Sequence, residues 1–185
     1  MNLQSRVCEI LEIEQPIVLA GMGGASSPAL AAAVSNAGGL GVLGAAACGP
    51  RQLREWIRQT REMTDKPFGV DTLLPASVRR ANYEDNDGPT PMDLVPERQA
   101  FAEEFMRKEG LEPPEPGSLQ RGPDDDEPAL FTKEFFEAQM EVIIQERVPV
   151  YASGLGNPGP WMTELRANGT KVMAVIGAVR HAIQV

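Results

Sequence analysis

Gly21-Met22-Gly23-Gly24 closes a short apolar run from Ile17 to Ala20. Residues this small at the end of a buried strand let a flat ligand approach the backbone closely, because no β-carbon stands in the way. Met22 would then supply an apolar contact. The same glycines also suit a tight turn between a strand and a helix, and the spacing alone leaves both readings open. The cluster is not the dinucleotide-binding pattern G-x-G-x-x-G, since Ala25 and Ser26 interrupt it. Other chemistry-bearing groups are sparse. Asp124-Asp125-Asp126-Glu127 sets carboxylates side by side, but without the spaced ligands and glycine of a calcium loop they read as solvated charge. Cys8 and Cys48 form no C-x-x-C and no metal-ligand spacing. No metal is expected, and a reduced, cytoplasmic setting is.

The elements that would position the glycine cluster follow from the pattern around it. Ile17 to Ala20 reads as a buried parallel strand that ends in glycines. Ser26 or Ser27 can cap a helix, with Pro28 in its first turn, where a missing N–H costs nothing. Alanines carry that helix to Asn36; Gly38 and Gly39 stop it, and Leu40 to Leu43 is a second strand. This is one βαβ unit, and in parallel α/β folds ligands sit at the carboxyl ends of the strands.

The rhythm continues along the chain. Gly49-Pro50 opens a helix through Arg61, with Leu53, Trp56 and Ile57 on one face, which makes Trp56 a core residue. Phe68 to Leu74 is a third strand. Residues 75–130 then interrupt the alternation: they hold 14 acidic and 6 basic residues, so most of the chain's net charge of −9 lies here, along with 9 of its 16 prolines. An excursion of that composition at a strand end reads as a lid or a mobile segment on the ligand face. Within it, Glu97 to Glu109 can form a helix that pairs Phe101 with Phe105. Thr132 caps a helix through Glu146. Val148 to Ala152 is a fourth strand, Trp161 to Ala167 a helix, Val172 to Ile176 a fifth strand, and Ala178 to Gln184 begins another helix. Val7 to Leu11 is a short amphipathic turn suited to capping the bottom of a barrel.

Charge and length set bounds. The excess of acid argues against nucleic acid or an anionic membrane as a partner. Met1 to Glu14 has no apolar signal-peptide core. Ile17 to Cys48 lacks charge, but its glycines, Pro28, serines and Asn36 make it a poor lipid-spanning helix. At 185 residues the chain can hold one real core, yet it is short for a (β/α)8 barrel of about 250.

Residues 21–41, from Gly-Met-Gly-Gly to Gly-Gly-Leu-Gly, resemble the first segment of the nitronate monooxygenase family, formerly called 2-nitropropane dioxygenases. Ser35 to Gly41 is the most specific part. Pro67-Phe68-Gly69-Val70-Asp71 resembles the family's third strand, and Lys171 to Gly177 its fifth. The resemblance implies an α/β fold that is an incomplete (β/α)8 TIM barrel: about five parallel βα units, with the long acidic insertion after the third strand. It implies FMN as cofactor and the oxidation of alkyl nitronates with O2. The cofactor-facing residues it implies are Gly21, Met22 and Gly23, Asp71, Ser153 and Gly154, and Gly177. Asp71 stands where the family usually has asparagine; a carboxylate only accepts hydrogen bonds, whereas an amide also donates.

The resemblance also places a catalytic histidine on a sixth strand and phosphate-binding loops after the seventh and eighth, none of which this sequence contains. A fragment with no catalytic residue of its own and weak or absent flavin binding is therefore expected, with His181 an ordinary surface residue. Unpaired strand edges in such a piece favour self-association or a complementing chain. An FMN-dependent enoyl reductase of the same superfamily and a non-catalytic half-barrel interaction module are the other readings.

Overall fold

A computed structural model describes residues 4–74, 95–112 and 122–183, with only the backbone described for 95–99. In chain order the elements are α1 (Arg6–Leu11), α2 (Pro28–Asn36), β1 (Gly41–Gly44), α3 (Pro50–Met63), β2 (Phe68–Leu73), α4 (Val95–Glu109), α5 (Lys133–Gln145), β3 (Val150–Leu155), α6 (Met162–Ala167), β4 (Lys171–Ala174) and α7 (Val179–Ala182). The strands pair in the order β1-β2-β3-β4, every pair parallel. The fold class is α/β. Sequential parallel strands alternating with helices are the arrangement of a (β/α)8 barrel wall.

The first expected strand is the exception. Ile17 to Ala20 forms no regular strand; it is reduced to a single parallel bridge, Val18 to Leu40. Its hydrogen bonds are Leu19 N–H to Leu40 C=O and Leu40 N–H to Ile17 C=O, both 2.9 Å. Pro16 removes a donor on one side, and on the other the Met22 N–H already turns back to Ala20 C=O. Ile17 and Val18 are also exposed, so no neighbour among the described residues stiffens the segment from its outer side. The other strands start or stop within a few residues of the expected bounds.

Helix α2 approaches the sheet unusually closely. A β-carbon on Gly41 would lie 1.8 Å from the Ala31 carbonyl oxygen, so only glycine lets an alanine-faced helix sit here. Ser35 fixes the contact: its buried hydroxyl donates to Pro67 C=O at 2.8 Å and accepts the Gly41 N–H at 3.0 Å. Trp56, Leu53 and Ile57 of α3 and Phe135, Phe136, Met140 and Ile143 of α5 are buried, as their spacing predicts. Thr132 caps α5 by accepting the Phe135 N–H. These helices cover one sheet face. On the other, α1 contributes Cys8 and Leu11 to a smaller cluster with Leu40, Val42 and Val150.

The acid run of the insertion does more than stay solvated. Glu127 accepts the Arg51 backbone N–H at 2.7 Å, at the otherwise uncapped start of α3, and the Asp124 N–H at 2.8 Å. The Arg51 side chain pairs with Asp124 and Asp126. Phe101 and Phe105 are exposed. Residues 75–94 and 113–121, and with them the reading of the insertion as a lid, lie outside the described residues.

Candidate functional site

Alternation along β2 sends Val70 into the helix-covered core and leaves Gly69 and Asp71 on the opposite face. Asp71 pairs in register with Gly44 and Ala152, near the carboxyl ends of the strands and beyond the cluster that α1 closes. Two glycines flank its carboxyl group. A β-carbon on Gly21 would lie 2.2 Å from Asp71 Oδ2, and one on Gly154 would lie 2.8 Å from Oδ1. The carboxyl therefore occupies the space that side chains at both positions would need.

Oδ1 is buried and has no hydrogen-bond partner. Burial pushes the carboxyl from its ordinary 3.8 up to about 6; the Gly154 N–H is near enough to oppose the shift without closing a hydrogen bond on Oδ1. A buried carboxylate oxygen without a donor is costly, and it marks a place where a donor or a proton would be welcome.

The turn that carries Gly21 is held by Ser26, which is fully buried. Its hydroxyl donates to Ala20 C=O at 2.8 Å and accepts the Met22 N–H at 3.1 Å. The Gly44 N–H donates to Ser26 C=O at 3.2 Å, and a β-carbon on Gly44 would press into Met22 O at 2.4 Å. The turn is thus pinned to the end of β1, with the Met22 and Gly23 residues exposed beside it. Ser26 was legible only as a cap candidate, yet at the observed cap position Ser27 makes no side-chain capping bond.

The remaining candidates divide. Ser153 pairs with Thr72 and faces the helix side; its hydroxyl donates to Leu155 C=O at 3.1 Å and Gly156 C=O at 3.0 Å, and its own C=O accepts the Val175 N–H. The side chain shapes the strand end that carries Gly154 rather than facing a ligand beside Asp71. Gly177 stands apart in the exposed loop after β4, with His181 Nδ1 of α7 4.0 Å from where its β-carbon would be. Gly21, Asp71 and Gly154 are the three that come together. Spacing had no signal for the polar pair behind them: the buried Tyr151 hydroxyl and Thr72 Oγ1 lie 3.0 Å apart. Burial first, with Asp71's charge adding to it, pushes Tyr151 up to about 12.

Residues 4–185 match the nitronate monooxygenase family. The chain belongs to that family. A probable nitronate monooxygenase of Staphylococcus aureus (strain Newman) is 28% identical over 181 residues, 97% of this chain and 45% of the relative. FabK from Thermotoga maritima superposes with a TM-score of 0.62 at 32% identity, over 98% of this chain and 40% of that one. A nitroalkane oxidase from Streptomyces ansochromogenes gives 0.59 at 26% identity, over 96% and 44%. The chain spans less than half the length of each of these proteins. Among the described residues no helix is long and apolar enough to cross a membrane, and no cluster of potential metal ligands forms.

Proposed function

We propose that this chain supplies the strand ends that receive the ring of FMN in an oxidoreductase acting on alkyl nitronates with O2. One observation carries the reading beyond family membership: glycines on two separate strand-end segments, Gly21 and Gly154, converge on a carboxyl whose Oδ1 is buried and unpartnered. A polar group of that kind at the carboxyl end of parallel strands suits the polar edge of a flat heterocycle. The fit is to the ring. The residues that would hold it are Gly21 and Gly154 through backbone, Met22 and Gly23 through the pinned turn, and Asp71 through its carboxyl; Ser153 acts by fixing the loop.

Bound FMN supplies the two-electron oxidation of the nitronate and the reaction of its reduced form with O2. The chain's own contribution is orientation. The Ser26 bonds hold the Gly21–Met22 backbone in place, so no ordering of that turn is needed when a ligand arrives. Asp71 holds or releases a proton at Oδ2 beside the ring edge, and the apolar cluster under α1 keeps water from reaching the site from the strands' amino ends. Gly177 has a place in this reading only if the loop after β4 folds over the ligand.

A chimera in which residues 4–185 replace the matching segment of a full-length nitronate monooxygenase, incubated with FMN and supplied with propyl-2-nitronate, should consume O2 and release nitrite. Absence of both flavin binding and nitrite release refutes the reading. FMN binding with reduction of an enoyl thioester instead would move the assignment to an enoyl reductase.

A further inference from the structure

Asp71 is the one described carboxyl that is enclosed without a cationic partner or a hydrogen bond to its inner oxygen. Glu146, by contrast, receives Arg54, Arg58 and Arg61. Around Asp71 the turn from Gly21 to Ser27, strand β1 and residues 152–156 carry no titratable side chain. Tyr151 on β3 couples to it, but its hydroxyl is engaged with Thr72 on the other face. The two carboxyl oxygens are unequal. Oδ1 lies inside, against Gly154, and Oδ2 lies on the Gly21 side. A neutral acid can leave Oδ1 as a buried carbonyl oxygen, which tolerates a missing partner better than an ionised one does. Its proton on Oδ2 is then free to donate.

We propose that Asp71 holds its ligand as a neutral carboxylic acid whose Oδ2–H donates to a carbonyl on the ring edge, so that above the carboxyl's midpoint ligand binding is accompanied by proton uptake. The identity of the ligand rests on the flavin reading above; the protonation of Asp71 does not. Linkage fixes the sign. A ligand that accepts a hydrogen bond from the acid binds the protonated form better, so its affinity is full below the carboxyl's midpoint and falls as pH rises through it. Raised burial of the group already places that midpoint close to neutrality.

The test uses two readouts on the whole chain, wild type and Asp71→Asn, the amide being of nearly the same shape. Infrared difference spectra between the two, recorded without ligand from pH 4.5 to 8, should show a protonated carboxyl giving way to carboxylate around pH 6. FMN titrations followed by flavin fluorescence should show wild-type affinity falling by up to roughly tenfold per pH unit above that midpoint, relative to the variant. Ionisation of the FMN phosphate is common to both proteins and cancels. A carboxylate already formed at pH 5, or wild-type and variant affinities that follow one pH curve, would overturn the proposal. Failure of FMN to bind either protein at any pH even at roughly millimolar concentration, where the weak binding expected of a ring site alone still registers, with the carboxyl titration intact, would defeat the flavin reading while supporting the neutral acid.

Discussion

Replacing Asp71 by Asn should stabilise the fold, and the gain should grow with pH. In the unfolded chain the carboxyl titrates near its ordinary 3.8, whereas in the fold it titrates at about 6. Below pH 3.8 both states hold the proton and the group costs nothing. Between 3.8 and 6 the unfolded state releases its proton first, so the folded state binds more protons and stability falls as pH rises. Above 6 the penalty is complete. At 1.36 kcal/mol per pH unit the full shift corresponds to about 3 kcal/mol. Asp71 is only half-buried, and solvent screening reduces that to about 1–2 kcal/mol. The amide does not titrate. The stability difference between variant and wild type, from urea unfolding at pH 4, 5, 6 and 7.5, should therefore rise by about 1–2 kcal/mol across the series. A difference that stays flat, or that rises toward acid, would show that the carboxyl is not buried as described.

Three further outcomes are expected. Ser35→Ala should cost about 1–3 kcal/mol in urea unfolding, because it leaves the buried Gly41 N–H and the Pro67 C=O without their shared partner. Gly41→Ala should cost about 1–3 kcal/mol or more, since its β-carbon meets helix backbone at 1.8 Å rather than a movable side chain; Gly122→Ala, with nothing within 4 Å, should shift stability by less than about 0.5 kcal/mol. Glu127→Ala should remove the acceptor at the start of α3, lowering stability by about 1 kcal/mol and speeding protease cleavage around residues 122–128. Unchanged cleavage would mean that the acid run is not held against α3.

Elements whose formation rests on local rules were legible. Thr132, Pro28 and Pro50 mark helix starts that the structure repeats, and the stripe of Leu53, Trp56 and Ile57 predicts a buried face that the structure buries. What rests on distant partners was not. Ile17 to Ala20 has the composition of a strand, but a strand also needs neighbours, and a single bridge to Leu40 is what its described surroundings supply. Asp124 to Glu127 looked like free charge because Arg51, the cation it meets, lies more than 70 residues earlier in the chain.

The site shows the same division within single residues. Gly21 was legible from its strand end, and Gly154 through the family resemblance, as a place where a ligand meets the backbone, and the nature of the approaching group was the part that spacing could not supply. In the structure that group is in the first instance the chain's own Asp71. This joins the two readings of the glycine cluster. The glycines do make a turn, held by Ser26, and the turn in its place encloses a carboxyl that has no partner for Oδ1. Larger residues at either position would push Asp71 off the strand end or cover it. Glycine at 21 and 154 and a carboxyl at 71 are therefore one feature rather than three, and their effects should not add. Once Asp71→Asn has removed the buried charge, Gly154→Ala should still be destabilising through its 2.8 Å contact, but the part of its cost that depends on pH should vanish. A double-mutant cycle on urea unfolding at pH 5 and pH 7.5 reads that coupling directly. A coupling energy that is the same at both pH values would mean that the glycine serves only shape, and that the charge of Asp71 plays no part in why the position is small.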